Sequence, residues 1–277
     1  MILTNSELPV TMLDKNLELN QYDFVLFHLM LSNKEYRDYY FAMRKIHPER
    51  LMILDNSGYE FFIKNQKLDV DAYKKLIKEL KPDYFILPDI LMDKDATIDK
   101  TIRFLVHEYE NTWHAKPIAV IQGNTPHEMY QCLTTYHLTG IKNIAIPFHN
   151  SFFKHYFGDF DLCFQAKYGV KETSEDMKYA VGRIAFIKNH LANLRGFEYI
   201  HLLGSHCPYE KALIQRNFDI NIKSMDTGYP VKCAIEGYEL FKEPKKPEII
   251  IDDFMEDHLD DSVKELIIKN VTMFKEL

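Results

Sequence analysis

Short apolar runs rich in Val, Ile, Leu and Phe recur along this 277-residue chain, and stretches with helical spacing separate most of them. The runs are 24–30, 51–54, 84–87, 118–121, 144–148, 199–203, 222–225 and 248–251. Each is short enough to be a strand buried on both faces, as a parallel sheet covered by helices requires. The helical stretches are 69–80, 95–109, 126–138, 175–194 and 208–216, and a helix-like tail covers 259–274. Such alternation argues for a parallel α/β architecture, and eight strands argue for closure into a (β/α)8 barrel over an open doubly wound sheet. One barrel accounts for the length, so residues 1–277 are read as a single domain. Its last unit is expected to be irregular, because Pro230 follows the seventh run and Lys-Glu-Pro-Lys-Lys-Pro, 242–247, precedes the eighth.

One connection is unusually long. Residues 149–174 contain Phe152, Phe153, His155, Tyr156, Phe157, Phe160 and Phe164. A loop of that length in a compact domain is either functional or locally structured, so a substrate lid and a small extra helix packing its aromatics on the barrel both remain open. Hydrophobic residues at 46% and aromatics at 13% supply a large core. No apolar run reaches about 18 residues, and the N-terminus lacks a basic segment followed by a hydrophobic one, so a cytoplasmic protein is expected. Cys132, Cys163, Cys207 and Cys233 are scattered with no Cys-x-x-Cys pair, which points to reduced thiols and not to a disulfide framework or zinc knuckle. A net charge of −7 weighs against a nucleic-acid partner, although a compact basic patch beside a site can hold a few phosphates on an acidic surface.

In a parallel barrel the reactive groups sit where strands end at the C-terminal face. The second run ends in Leu54-Asp55-Asn56-Ser57-Gly58-Tyr59-Glu60, the third in Leu87-Pro88-Asp89 and the fourth in Ile121-Gln122-Gly123. The fifth ends in Ile146-Pro147-Phe148, the sixth in Leu203-Gly204-Ser205-His206 and the seventh in Met225-Asp226-Thr227-Gly228. Asp55, Asp89, Gln122 and Asp226 thus converge on one mouth. Such carboxylates can bind a divalent metal, supply an acid and a base to a glycosidic bond, or close salt bridges on the rim. Gly58, Gly123, Gly204 and Gly228 would let a flat ligand approach the backbone closely. His149, His155 and His206 lie near strand ends but in no metal-ligand spacing. Asp93 and Asp95 read as capping and first-turn residues of a helix.

At these residues the chain resembles the tRNA-guanine transglycosylase superfamily. The segment from Leu54 to Glu60 resembles that family's Asp-Ser-Gly-Gly-Phe-Gln, and Val120-Ile121-Gln122-Gly123 its Val-Gln-Gly. His201-Leu202-Leu203-Gly204 resembles Tyr-Leu-Met-Gly, and Met225-Asp226-Thr227-Gly228-Tyr229-Pro230 resembles Phe-Asp-Cys-Val-x-Pro, all in the same order. The resemblance implies that Asp226 is a nucleophile attacking C1′ of a target nucleoside and that Asp55 is the acid and base for the departing and incoming bases. It implies base reading by Asp89 and Gln122, a base wall from Leu203 and Gly204, stacking by Tyr59, and further base contacts at Ser57, Gly123, Pro147 and Phe148. No cofactor is implied.

The chain departs from that pattern. Ile146-Pro147-Phe148 stands where the family has Gly-Gly-Leu, Asn56 replaces a Ser, Glu60 replaces a Gln, and the zinc-binding Cys-x-Cys-x-x-Cys is absent. A short form without zinc is more similar to the DNA 7-deazaguanine transglycosylases of phage-type DNA modification systems. The expected reaction is therefore exchange of guanine in DNA for a 7-deazaguanine base. The same exchange in tRNA, a non-catalytic nucleic-acid-binding relative and a metal-dependent barrel hydrolase stay open as alternatives. Lys64, Lys67, Arg183, Lys188, Lys223, Lys232, Lys245 and Lys246 are candidate phosphate contacts.

Overall fold

The computed structural model describes residues 2–110, 112–148, 152–156, 175–191, 194, 196–217, 222–241 and 259–277. Eight parallel strands form a nearly closed (β/α)8 barrel: β1 (Leu3–Ser6), β2 (Asp23–Leu26), β3 (Met52–Asp55), β4 (Tyr84–Ile86), β5 (Lys116–Val120), β6 (Asn143–Pro147), β7 (Tyr199–Leu203) and β8 (Ile222–Thr227). Their spatial order is β1-β8-β7-β6-β5-β4-β3-β2, each strand pairing in parallel with the next.

Seven of the eight apolar runs are strands, and each sits one place later in the barrel than the sequence suggests, because β1 precedes them all. The first run is two elements: the strand stops at Leu26, and Phe27–Ser32 is helical. The eighth run, 248–251, lies outside the described residues. The place beside β8 is taken by Leu3–Ser6, whose register sets Asn5 against Asp226. This strand is polar because it faces a seam. Gln21 N–H donates to the Thr4 carbonyl at 3.1 Å, and the Asn5 side-chain amide donates to the Tyr22 carbonyl at 2.8 Å. Asn20 then serves Ser6 twice, accepting from its N–H at 2.7 Å and donating to its carbonyl at 2.9 Å. Side-chain amides thus satisfy backbone groups that a strand ladder would otherwise pair.

Period-two alternation sends every second residue of each strand inward. Tyr84 and Tyr199 meet across the barrel with ring centroids 4.3 Å apart, and Phe24 stacks on His201 at 5.2 Å. Two positions further along those strands come Ile86, Leu203 and Leu26, and the mouth begins. The helices outside start on capping carboxylates: Asp69 accepts from Ala72 N–H ahead of Val70–Leu80, and Asp93, expected as a cap, accepts from Ala96 N–H ahead of Lys94–Arg103. Thr125 caps Pro126–Leu138, with the proline in the first turn, where no N–H is needed.

Of the long aromatic connection only Phe152–Tyr156 is described beyond Phe148 and before the Glu175–Phe186 helix. There Phe153 is fully buried and packs on Phe186, so this part is locally structured. Its backbone crosses the helix at Gly182, where an added Cβ would stand 1.8 Å from the Phe153 carbonyl oxygen. Among the described residues no helix is long and apolar enough to cross a membrane.

Candidate active site at the barrel mouth

A cavity of about 150 Å³ opens at the C-terminal end of the strands. It brings together Asp55, Asp89, Gln122 and Asp226, with Tyr59, Pro147, Phe148, Leu203 and Gly204, all expected from the sequence. It also contains residues that the sequence reading did not place in the site: Glu7 beyond β1, Glu60 on the short Gly58–Ile63 helix, and Phe24 and Leu26 on β2. His206 lines it too, stacked on Phe148 with centroids 5.6 Å apart.

Asp226 sits at the end of β8 and is almost wholly buried. Gly204 N–H lies 3.1 Å from both of its carboxylate oxygens, and His201 Nε2 lies 3.0 Å from Oδ1. Gly204 can present its N–H this way because its φ of 61° is in the left-handed region, where glycine carries no Cβ penalty. Behind His201, its Nδ1 is 2.8 Å from Ser224 Oγ, which is 2.7 Å from the Tyr199 hydroxyl. His201 was missed as a site residue, yet it lies two positions before Leu203 on the same strand, so inward alternation from Leu203 reaches it.

Asp55 is held differently. Its Oδ2 accepts from Ser57 N–H at 2.7 Å. Burial pushes its carboxyl well above the usual carboxylate range, and the nearby Glu60 charge pushes it further. Glu7 is raised likewise, by burial first and then by Asp226 and Glu60, with Lys232 opposing; its Oε2 is buried with no hydrogen-bond partner among the described residues. The cavity therefore sets Asp226, held by Gly204 N–H, beside two carboxyl groups, Asp55 and Glu7, that burial raises.

Asp89 and Gln122 form one unit. Asp89 Oδ1 accepts from the Asn56 amide at 3.0 Å and Oδ2 from Gln122 Nε2 at 2.8 Å, while Gln122 Oε1 accepts from Met92 N–H at 3.0 Å. Gln122 is thus locked in orientation, and burial raises the Asp89 carboxyl against these two bonds.

Several expected residues are placed elsewhere. Ser57 does not line the cavity: it is buried with a left-handed φ of 55°, and its Oγ accepts from His28 N–H at 3.1 Å. Gly123 does not line it either; an added Cβ would stand 2.7 Å from Met129 N, so it is a glycine for helix packing. Arg183 is not a phosphate contact. It is fully buried, its Nε is 2.8 Å from Glu210, and Nη1 donates to the carbonyls of Ile146 and Leu203 at 2.9 and 2.8 Å. Lys232 is buried and lines the cavity instead of the outer surface. Lys223 lies near the start of β8, away from the mouth, and Lys188 is exposed past the end of the Glu175–Phe186 helix. Lys245, Lys246, His149 and Cys163 lie outside the described residues. Cys207 and Cys233 are buried free thiols, and burial pushes Cys233 up to about 12.

A second cleft of about 820 Å³ adjoins the first, sharing Asn56, Gly58, Asp89 and Leu91 with it. Phe61, Phe62 and Lys67 stand on one wall, and Lys100, Arg103 and His107 on the other. Lys64 is exposed nearby but lines neither cavity. Among the described residues no three His, Cys, Asp or Glu side chains group in a way that could hold a metal ion. No protein-family model matches the sequence, and no curated protein matches it significantly.

Proposed function

We propose that the protein exchanges guanine in DNA for a 7-deazaguanine base through a covalent bond between Asp226 and C1′ of the target nucleotide. The observation that carries this reading is the unequal pair of carboxyl groups in one cavity. Asp226 is held by Gly204 N–H and faces the His201 ring, while burial and Glu60 push the Asp55 carboxyl well above the usual carboxylate range. That is the division of labour a base exchange needs.

Asp226 attacks C1′, the C1′–N9 bond breaks, and its electron pair stays on the guanine, which takes the proton from Asp55. The incoming base gives its N9 proton to Asp55 and attacks C1′ from the vacated side. The C1′–oxygen bond then breaks and Asp226 leaves as a carboxylate. Two displacements at one carbon retain its configuration. The Asp89–Gln122 pair reads the polar edge of the base, with Pro147, Phe148 and Leu203 as its apolar wall. To reach C1′ the enzyme must draw the nucleotide out of the stack, and the half-exposed ring of Tyr59 stands at the rim for that purpose. The preference for DNA over tRNA rests on the resemblance to the zinc-free DNA enzymes.

The test is intact-mass analysis after denaturing the protein with guanine-containing single- or double-stranded DNA, or with tRNA. An adduct on wild type with DNA, absent from Asp226→Ala, is the expected result. An adduct with tRNA alone moves the activity to tRNA. No adduct with either, while the protein still binds nucleic acid, reduces the molecule to a binding relative of the fold.

A further inference from the structure

We infer that His201 is a positioning residue, whose Nε2–H ties down Asp226 Oδ1 and leaves Oδ2 as the oxygen that attacks. The inference rests on the reading of Asp226 as nucleophile and assigns the residue that aims it.

The proton order follows from the contacts. A carboxylate only accepts, so the atom facing Asp226 Oδ1 at 3.0 Å, His201 Nε2, must donate. In a neutral ring Nδ1 is then an acceptor, and the Ser224 hydroxyl at 2.8 Å must point its hydrogen there. Ser224 Oγ is left to accept from the Tyr199 hydroxyl at 2.7 Å. Burial pushes Tyr199 upward, so it keeps the proton this chain requires. Every group from Tyr199 to Asp226 is satisfied by one direction of donation.

Geometry holds the ring still. His201 is fully buried, stacked on Phe24 at 5.2 Å and met edge-on by Tyr22 at 6.4 Å. Oδ1 therefore takes both His201 and Gly204, whereas Oδ2 takes, among the described residues, Gly204 alone. A lone pair remains on Oδ2 for C1′. Where the resembled family has a tyrosine, this chain has His201. An imidazole anchored by Ser224 fixes the carboxylate more firmly than a hydroxyl that can rotate, because its donor direction is set by the ring.

Two measurements test this. The ¹⁵N shifts of the His201 ring, read by difference against His201→Gln, should show a protonated Nε2 and an unprotonated Nδ1. The opposite tautomer overturns the inference whether or not the protein is a transglycosylase. Single-turnover adduct formation should slow by about 10- to 100-fold in His201→Phe, which keeps the ring volume but removes the donor. The free base should bind that variant as tightly as wild type. His201→Gln, which restores a donor near Nε2, should recover most of the rate, and Ser224→Ala should lie between. Equal loss in the Phe and Gln variants makes His201 a packing residue and ends the proposal. With the predicted tautomer but no adduct on wild type, the nucleophile reading fails and the positioning role with it, leaving the hydrogen-bond chain as a structural feature.

Discussion

Glu7 and Asp55 show what the mouth demands of single residues. Both carboxyl groups are raised well above the usual range, burial being the first cause for each and neighbouring acids the next. In the unfolded chain they would ionise near about pH 4. Between there and their native values the folded state binds more protons than the unfolded one, so unfolding free energy falls as pH rises. Their stabilising contribution is complete below the unfolded value and is lost as pH climbs through the native ones. Melting temperature should therefore drop from about pH 5 to about pH 8, and Glu7→Gln should flatten the drop and melt higher than wild type at the upper end. A flat wild-type profile, or a less stable Glu7→Gln at about pH 8, would contradict this account. Asp55, Asp89, Gln122 and Asp226 were legible in the sequence because each ends an apolar run. Glu7 was not, since the strand before it is Leu-Thr-Asn-Ser and carries no apolar signature.

That strand is also where element-scale reasoning fell short. Seven strands announce themselves as apolar because helices cover one face and the barrel core fills the other. β1 instead meets the approach to β2 across the seam, where its own Asn5 and the facing Asn20 and Gln21 bridge the gap with their amides. Helix starts were legible to within a residue or two, since Asp69, Asp93 and Thr125 are both sequence signals and real caps. Arg183 misled in the other direction. A basic residue on a helix reads as surface, but this one pairs with Glu210 and ties the ends of β6 and β7 together. Asn20 gives the seam a direct test. Replacing it by Ala strands the buried N–H and carbonyl of Ser6, each unsatisfied group costing about 1–3 kcal/mol. Asn20→Ala should lower the denaturant midpoint by the equivalent of about 2 kcal/mol or more, and an unchanged midpoint would mean that water or a shifted strand closes the barrel there.

For the whole molecule the proposed function raises a question of charge, since it asks a chain of net −7 to approach a polyanion. What matters is where the cations lie. The cleft beside the mouth cavity has Lys67 on one wall and Lys100 and Arg103 on the other, and Phe62 at its edge is largely exposed. Its acids are largely accounted for: Glu108 pairs with Lys74, and Asp89 is held by Asn56 and Gln122. Arg103 is bound to Asp99 through Nε, which leaves its terminal nitrogens able to donate to a phosphate. The cleft is continuous with the mouth cavity through Asn56, Gly58 and Asp89, so under the proposed base exchange it is the course for the strand next to the flipped nucleotide. A single strand held by phosphate contacts loses affinity with salt at a slope of about 0.7 per contact. The double variant Lys67→Ala/Arg103→Ala should therefore weaken single-stranded DNA binding and flatten the salt slope by about 1.4, whereas Lys188→Ala/Lys223→Ala should leave both unchanged. Phe62→Ala should weaken binding without altering the slope, because stacking releases no counterions. If the first pair has no effect and the second does, the strand crosses the opposite side of the barrel.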